Sequence, residues 1–257
     1  MTGSLSGFAV LVTRPAERAA GLIAAIEARG GRALACPTLA LEPIAVDPGA
    51  VAAAAHADVL LFASPAAVHH GVAALGSAYP TDARIGTVGA GTAAALAARG
   101  LYASIAPIGS SDSEGLLRST ALQPQQIAGS RVVIVRGRGG RTLLAETLQA
   151  RGATVVFLEV YRRVRPATFD AAVAADADIV TVTSVEGLEN LLALVDDELR
   201  PHLLRCPVVT TGERVSAAAR NAGFQGRVVA AETPADEAIA ATAAGLVPAA
   251  SENSGEA

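Results

Sequence analysis

The chain has 257 residues, which favours one large domain or two of ordinary size. It is 51% hydrophobic and only 3% aromatic, so it has enough small aliphatic side chains for a sizeable core, and it is neither disordered, collagen-like nor a disulfide scaffold. All 20 basic residues are arginine, and the net charge is −4. The absence of lysine excludes a Walker A phosphate site, a Schiff base and pyridoxal phosphate chemistry.

The distribution of charged and apolar residues excludes further classes. The arginines are scattered, so no nucleic-acid surface is expected. No run of 18 apolar residues occurs, so we expect no membrane span. The first residues lack a basic region followed by an apolar stretch, which predicts no signal peptide and a cytoplasmic location. Cys36 and Cys206 share no metal-ligand spacing, and we interpret them as incidental thiols.

Strands and helices are predicted to alternate along the chain. Apolar runs predict buried strands at 8–13, 58–62, 84–88, 131–135, 154–158, 178–183 and 207–211. Between them, helical spacing and capping residues predict helices that begin near Pro15 (in a first helical turn), Ser64-Pro65, Thr92, Ser111 and Arg141. Ser111 with Glu114 fits a capping box. The tail 248–257 is predicted to be disordered.

This alternation predicts an α/β fold of the doubly wound type. Strands that are apolar throughout are typical of parallel sheets covered by helices on both faces. Ligands then bind beyond the carboxyl ends of the strands.

The chain also repeats itself at a long interval. The segment "DVLLFASPAAVHHGVAAL" is similar to "DIVTVTSVEGLENLLALV", and "IGTVGAGTAAALAARG" is similar to "VVTTGERVSAAARNAG". Arg14 pairs with Arg136, Ser64 with Ser184 and Gly89 with Gly212, at spacings of 122, 120 and 123 residues. Two similar domains with a cleft between them are therefore expected.

One glycine-rich turn fits a dinucleotide fingerprint. Gly89, Gly91 and Ala94 match G-x-G-x-x-A after a strand. The next strand, which ends near Ile105, lacks the acidic residue that the fingerprint requires. A tight strand-to-helix turn is the better interpretation, and its free amides beside Thr92 could still bind a carboxylate.

Similar turns recur at other strand ends. Each begins a helix and offers unpaired N–H groups, and several add a hydroxyl or a guanidinium group. Capping alone could explain any one of them, but together they could bind a large polyanion. The residues at these turns are Arg14, Ser64, Ser113, Arg136, Arg141, Ser184 and Gly212.

Tyrosine and histidine are two further residue types that could carry chemistry. Tyr161 follows a strand, either as an amphipathic packing residue or as a phenol that donates a hydrogen bond at the site. His69 and His70 diverge by about 100° on a helix, so we interpret them as surface residues and not as metal ligands. No metal cluster is predicted.

A series of segments in a fixed order resembles one known family. The segments are "VLVTRP", "FASPAAV", "VGAGTAAAL", "SDSEGLL", "VRGRGGRTLLAETLQARGA", "VYRR", "TSVEGL" and "TGERVSAAARNAG". They are similar to those of uroporphyrinogen-III synthase over about residues 10–246. Each motif is degenerate, and the specificity lies in their order.

The resemblance implies two α/β domains joined by a two-stranded connector. It assigns 1–38 with 163–257 to one domain, 42–158 to the other, and about 39–41 and 159–162 to the connectors. The repeat by itself suggests a simple cut near residue 122, although it is compatible with both divisions.

The resemblance also implies a reaction. The linear tetrapyrrole hydroxymethylbilane, which carries eight carboxylates, is cyclised to uroporphyrinogen III with inversion of ring D and loss of water, a lyase reaction without cofactor or metal. Because the free substrate closes to the I isomer, the enzyme must act by positioning and electrostatics. Hydroxymethylbilane synthase would be the upstream donor, and a monomer is expected.

The family's functional residues map onto positions of this chain. Tyr161 would assist departure of the hydroxyl. The implied substrate-binding residues are Thr92, Ser64, Ser113, Ser184, Arg14, Arg136, Arg141, Gly89 and Gly212.

One departure from the family pattern leaves alternatives open. The family often has Thr three residues after the glycine that matches Gly212, but this chain has Val215 and then Ser216. Either a hydroxyl contact is lost there or Ser216 replaces it in part. A non-catalytic module that binds a tetrapyrrole or another polyanion is the alternative, and a nucleotide-dependent oxidoreductase rests only on the Gly89 turn.

Overall fold

The computed structural model describes residues 4–247, which form two compact units. The first unit contains the chain up to Ala40 and again from Val164, and the second contains Leu41–Arg163. The predicted disordered tail 248–257 lies outside the described residues.

Ten strands and twelve α-helices make up the part of the chain from 4 to 247. The strands are β1 (Ala9–Val12), β2 (Arg32–Ala35), β3 (Ala40–Pro43), β4 (Val59–Phe62), β5 (Arg84–Thr87), β6 (Arg131–Gly137), β7 (Thr154–Val164), β8 (Ile179–Val182), β9 (Val208–Thr210) and β10 (Val228–Ala230). The helices are α1 (Ala20–Glu27), α2 (Pro48–Ala55), α3 (Pro65–Leu75), α4 (Ala90–Ala97), α5 (Ser113–Leu117), α6 (Pro124–Ile127), α7 (Leu143–Ala150), α8 (Ala171–Ala175), α9 (Val185–Leu194), α10 (Arg200–Arg205), α11 (Glu213–Asn221) and α12 (Asp236–Ala244).

Each unit contains one five-stranded sheet. The strand order is β10-β9-β8-β1-β2 in the first unit and β3-β7-β6-β4-β5 in the second. The pairs β1–β2, β1–β8, β8–β9 and β9–β10 are parallel, and so are β4–β5, β4–β6 and β6–β7. The predicted α/β class with parallel sheets is confirmed.

The two sheets repeat one arrangement. The order β2-β1-β8-β9 corresponds to β7-β6-β4-β5, and a single bridge between Gly86 and Ile105 stands where β10 extends the first sheet. Equivalent aspartates tie the central strands together in both units. Asp178 accepts a hydrogen bond from the backbone of Ala9 at 2.7 Å, and Asp58 accepts one from Arg131 at 2.7 Å. The repeat seen in the sequence is thus a repeat of structure.

Apolar strand residues bury both faces of each sheet. In β1, Val10 and Val12 pack on one side with helix α1, whereas Leu11 packs on the other side with Leu188 of α9. Successive side chains of a strand point to opposite faces, so an unbroken apolar run gives two cores, one on each side of the sheet.

Three local predictions were wrong. Pro15 precedes a 3₁₀ turn, Ala16–Arg18, instead of lying in the first turn of an α-helix. Helix α5 is capped by Asp112, whose side chain accepts from the amide of Gly115 at 2.7 Å, and not by Ser111. The predicted strand near Ile105 is reduced to one bridging residue.

Strand β7 is longer than predicted and contains a register shift. It continues for 11 residues to Val164, through the polar residues that the sequence interpretation placed beyond the strand. Arg136 pairs with Glu159, but the next residue, Gly137, pairs with Tyr161, so β7 has one extra residue here. Val160 and Tyr161 consequently pack in the same core cluster, although consecutive residues normally face opposite sides.

Candidate active site

In the second unit, the chain order of the strands reverses between neighbouring β6 and β4. Helices that leave these strands pass to opposite faces of the sheet, which opens a crevice beyond the carboxyl ends of the two strands. Ser64 follows β4, Gly137 ends β6, and Tyr161 extends from β7 beside them. The fold therefore brings together three residues that are distant in the sequence.

Tyr161 is buried with its hydroxyl oxygen fixed. Its exposed fraction is 5%, and its Oη lies 3.1 Å from the Oγ of Ser64. Ser64 is the N-cap of α3, and its Oγ accepts a hydrogen bond from the amide of Ala67 at 3.0 Å. Ser64 thus has two functions, since it caps the helix and holds the phenol.

The contact between Tyr161 and Gly137 is unusually close. A Cβ atom on residue 137 would lie 2.5 Å from Cε2 of the Tyr161 ring. Since carbon atoms in van der Waals contact stand about 3.5–4.0 Å apart, only glycine permits the ring to occupy this position.

A cavity of about 170 Å³ lies in front of this phenol. Its polar lining consists of two serines, one tyrosine and three arginines, and no described carboxylate lines it. These residues are Ser64, Ser113, Arg136, Arg141, Tyr161 and Arg163. The cavity is therefore positively charged and rich in hydrogen-bond donors.

Arg136 is held rigidly in the cavity wall. Its guanidinium lies 4.8 Å from the centre of the Phe157 ring and donates to the carbonyls of Gly137 and Arg141, both at 3.1 Å. Burial is the main reason that the pKa of Arg136 is lowered from its usual value. An arginine remains charged at neutral pH despite such a decrease.

Ser113 and Arg141 line the opposite part of the cavity. Asp112 caps α5, and the structure shows no hydrogen bond to the Ser113 hydroxyl within the described residues. The hydroxyl of Ser110 is the main cause that lowers the pKa of Asp112. Arg141 is exposed and lies 3.7 Å from a carboxylate oxygen of Glu114. The serine hydroxyl and the exposed guanidinium are both available to a ligand in the cavity.

The remaining predicted residues of the second unit, Gly89 and Thr92, do not line this cavity. Gly89 is the N-cap of α4 and supplies no side-chain cap. Thr92 is only 3% exposed, and the structure pairs its hydroxyl with no other described group. The amides of Thr92 and Ala93 both donate to the carbonyl of Gly89 at 3.1 Å, so the Thr92 amide is not free at this turn.

The predicted residues of the first unit differ in how they are engaged. Ser184 caps α9 and accepts from the amide of Gly187 at 3.0 Å, as Ser64 does in the second unit. Gly212 is the N-cap of α11 without a side-chain cap. Arg14 is 9% exposed and forms an ion pair with Asp236. Its charge is already balanced within the first unit.

The structure shows whether Ser216 can replace the threonine hydroxyl that the family often has at the position of Val215. Val215 is 5% exposed and packs in the core, while Ser216 is fully buried and hydrogen-bonds the hydroxyl of Thr210 at 2.6 Å. Ser216 is therefore engaged in the interior, so its hydroxyl does not substitute for a threonine at position 215.

The interpretation of the adjacent histidines was half wrong. His69 is exposed, and its Nδ1 lies 2.8 Å from the guanidinium of Arg99. His70 is only partly exposed, and its ring centre lies 5.6 Å from that of Tyr161. The partial burial of His70 could have been predicted from helical spacing, because His70 lies three residues after Ala67, on the buried side of α3.

Residues 4–247 offer no metal site, no membrane-spanning helix and no reactive thiol. No group of three or more His, Cys, Asp or Glu side chains in this part of the chain could hold a metal ion. Neither is any helix there long and apolar enough to cross a membrane. Burial raises the pKa of the Cys36 and Cys206 thiols to about 11, so both are neutral and unreactive at pH 7.

The fold and the cavity define a doubly wound α/β protein whose site suits a small anionic ligand. A sequence model of one family, described as uroporphyrinogen-III synthase HemD, matches residues 20–241. The chain belongs to the uroporphyrinogen-III synthase family.

Individual relatives agree with this assignment. A uroporphyrinogen-III synthase of Salmonella typhimurium is 34% identical over 231 residues, which cover 84% of this chain and 92% of the relative. One of Escherichia coli is 42% identical over 120 residues, 44% of this chain and 48% of the relative.

Solved structures show the same fold at low sequence identity. The uroporphyrinogen-III synthetase of Helicobacter pylori aligns with a TM-score of 0.59 at 14% identity, over 93% of this chain and 99% of that one. A mutant uroporphyrinogen III synthase of Thermus thermophilus aligns with a TM-score of 0.53 at 20% identity, over 93% and 98%.

Proposed function

We propose that the protein converts hydroxymethylbilane into uroporphyrinogen III, acting as a lyase that releases water and inverts ring D. The observation that carries the proposal is the cavity in front of Tyr161. There a buried phenol, two serine hydroxyls and three arginines converge without a carboxylate among the described lining residues. Such a cavity suits a substrate with many carboxylates and a hydroxyl leaving group.

The size of the cavity indicates which part of the substrate it receives. A volume of about 170 Å³ is well below the roughly 300–1,000 Å³ of pockets that enclose drug-sized ligands. It can admit one end of a linear tetrapyrrole but not the whole molecule. We infer that the terminal ring bearing the hydroxymethyl group enters it, which brings the leaving oxygen to Tyr161.

The hydrogen bonds around Tyr161 support a donor role. Ser64 Oγ already accepts from Ala67, and its own proton is free to point at the Tyr161 oxygen. With Ser64 as donor, the Tyr161 O–H is left to donate to the departing hydroxyl. The hydroxyl leaves as water, the pyrrole N–H supplies the balancing proton, and an azafulvene remains.

The arginines stabilise carboxylates and direct ring closure. Arg136 is fixed by Phe157 and two carbonyls, so it presents its charge without a large entropy loss. The substituted carbon of ring D attacks the electrophilic azafulvene carbon, and the resulting spiro intermediate fragments and recloses with ring D inverted. Positioning and electrostatics suffice for this sequence, and we propose that no cofactor takes part.

Carboxylate contacts outside the cavity complete the proposed binding set. We assign this role to the helix N-termini and side chains at Thr92, Gly89, Ser184, Gly212 and Arg14. For Arg14, the support is weaker because Asp236 balances its charge. Substrate supply by hydroxymethylbilane synthase and a monomeric state belong to the same proposal. A cytoplasmic location, also proposed, is supported by two free cysteines.

An isomer assay tests the proposed function. The protein is supplied with freshly generated hydroxymethylbilane, the products are oxidised, and the I and III isomers are separated by chromatography. A predominance of the III isomer is expected, with heat-denatured protein giving the I isomer. If folded protein yields only the I isomer, the enzymatic proposal is wrong and the non-catalytic binding module remains.

Val215→Thr is expected to strengthen substrate binding. The new hydroxyl would match Thr92 of the second unit, and one net hydrogen bond of about 0.5–1.5 kcal/mol corresponds to roughly a two- to twelve-fold lower KM. The matched variant Thr92→Val should raise KM by a similar factor, since it removes the equivalent hydroxyl. Steady-state kinetics on both variants measure the effect. Unchanged KM values would remove these positions from the binding set.

A further inference from the structure

The imidazole of His70 packs against the phenol that the proposed mechanism uses. His70 lies in α3, six residues after its cap Ser64, and its side chain is partly buried. Its ring centre lies 5.6 Å from that of Tyr161, with the ring planes inclined at 40°. This distance is within the range of about 4.5–7 Å for interacting aromatic pairs.

Three contacts of different kinds surround the Tyr161 side chain. Ser64 holds its oxygen at 3.1 Å, the ring is in close contact with Gly137, and His70 packs against the ring. The serine fixes only one atom, and the glycine limits movement only toward the backbone. A ring partner on α3 restricts rotation about the side-chain torsions that these two contacts leave free.

The internal repeat provides a comparison within the same chain. At the spacing of 120–122 residues, Ser64 corresponds to Ser184, but His70 corresponds to Asn190 and Tyr161 to Leu39. The helix cap is present in both units, whereas the two rings are present only in the second. The imidazole therefore accompanies the phenol, and the equivalent capped helix of the first unit forms without it.

We propose that His70 is a positioning residue, which fixes the Tyr161 ring so that its O–H points at the leaving hydroxyl. The inference rests on the proposed function of Tyr161 as hydrogen-bond donor. His70 itself does not line the cavity. Its removal should therefore lower kcat and leave KM unchanged, because the carboxylate-binding groups stay in place.

The test measures kcat, KM and the I-to-III isomer ratio for His70→Ala, His70→Phe, Tyr161→Phe and the double variant H70A/Y161F. His56→Ala is the control, since His56 is an exposed histidine of the same unit at the end of α2. We expect His70→Ala to lower kcat about ten-fold, less than the roughly hundred-fold cost of an ångström of misplacement. His70→Phe keeps a ring and should restore kcat.

The double variant distinguishes positioning from a general structural effect. If His70 acts through the phenol, its loss has no further effect once the Tyr161 hydroxyl is absent. An equal loss of kcat in both backgrounds, or wild-type kcat in His70→Ala, would overturn the inference. If His70→Ala does not fold, His70→Leu retains apolar volume without an aromatic ring and is subject to the same expectations.

Failure of the inference can be separated from failure of the proposed function. Wild-type kcat in Tyr161→Phe would show that the phenol is not used, whatever His70 does. A low kcat in Tyr161→Phe together with wild-type kcat in His70→Ala would leave the function of Tyr161 standing and reject only the positioning role of His70.

Discussion

Tyr161→Phe should lower kcat by about a hundred-fold, the lower end of the 10²–10⁴ range for a positioned proton donor. The ring, its packing against Gly137 and the hydrogen bond that the Ala67 amide donates to Ser64 all remain in this variant. Only the hydroxyl is lost, so KM and the fold should change little. Loss of one hydrogen bond costs about 0.5–1.5 kcal/mol of stability.

Steady-state kinetics and the isomer ratio measure the effect of this substitution. As substrate turnover slows, spontaneous closure competes, so the fraction of I isomer should rise. Tyr102→Phe is the matched control, since the Tyr102 side chain is 75% exposed. Wild-type kcat in Tyr161→Phe would remove this phenol from the mechanism.

Gly137→Ala should abolish most of the activity by a different route. The new Cβ would lie 2.5 Å from the Tyr161 ring, so the ring or β6 must move. Displacement of a catalytic group by about an ångström can cost about a hundred-fold in rate. Overpacking of this kind also costs about 1–3 kcal/mol of stability.

The melting midpoint and kcat of Gly137→Ala are compared with those of Gly49→Ala. A Cβ at Gly49 meets Asp47 at an ordinary 3.5 Å, so that control should keep full activity. Repeating the Gly137 substitution in a Tyr161→Ala background isolates the cause. There the stability cost should vanish, and a cost that persists would show that the clash with Tyr161 is not responsible.

The sequence was sufficient to predict the fold class and the repeat. Apolar runs such as Val59–Phe62 fill both faces of a parallel strand, and this pattern leaves few alternatives. Membership of the family, inferred from the order of the motifs, is also confirmed. Fold class, repeat and family membership can be predicted because each depends on a long segment in which many residues indicate the same structure.

Local predictions were wrong where two neighbouring residues could each fill the same structural role. Ser111 and Asp112 could each cap α5, and the aspartate does so because its carboxylate also accepts a hydrogen bond from Ser110. Although the resemblance implied a two-stranded connector at 159–162, the apolar pattern ended β7 at Leu158 because Glu159 and Arg162 look like loop residues. They are tolerated because Glu159 pairs with Arg138 and Arg162 with Glu42.

The candidate site was only partly accessible from sequence. Ser64 and Tyr161 were chosen separately, and nothing in their spacing indicates that their oxygen atoms lie 3.1 Å apart. That proximity depends on the register between β6 and β7 and on the position of β4 beside β6. Long-range pairing of this kind leaves no periodic signal in a single sequence.

The extra residue in β7 determines which face of the sheet the Tyr161 side chain occupies. Counting from Leu158, strict alternation would turn the Tyr161 side chain toward the opposite face of the sheet, away from Ser64. The extra residue at Val160 restores it to the side of α3. A strand of unchanged length without this register shift would turn the phenol away from Ser64. Deleting one residue between Leu158 and Tyr161 would instead remove the shift and keep the phenol on the side of α3, so backbone register sets the direction of this side chain.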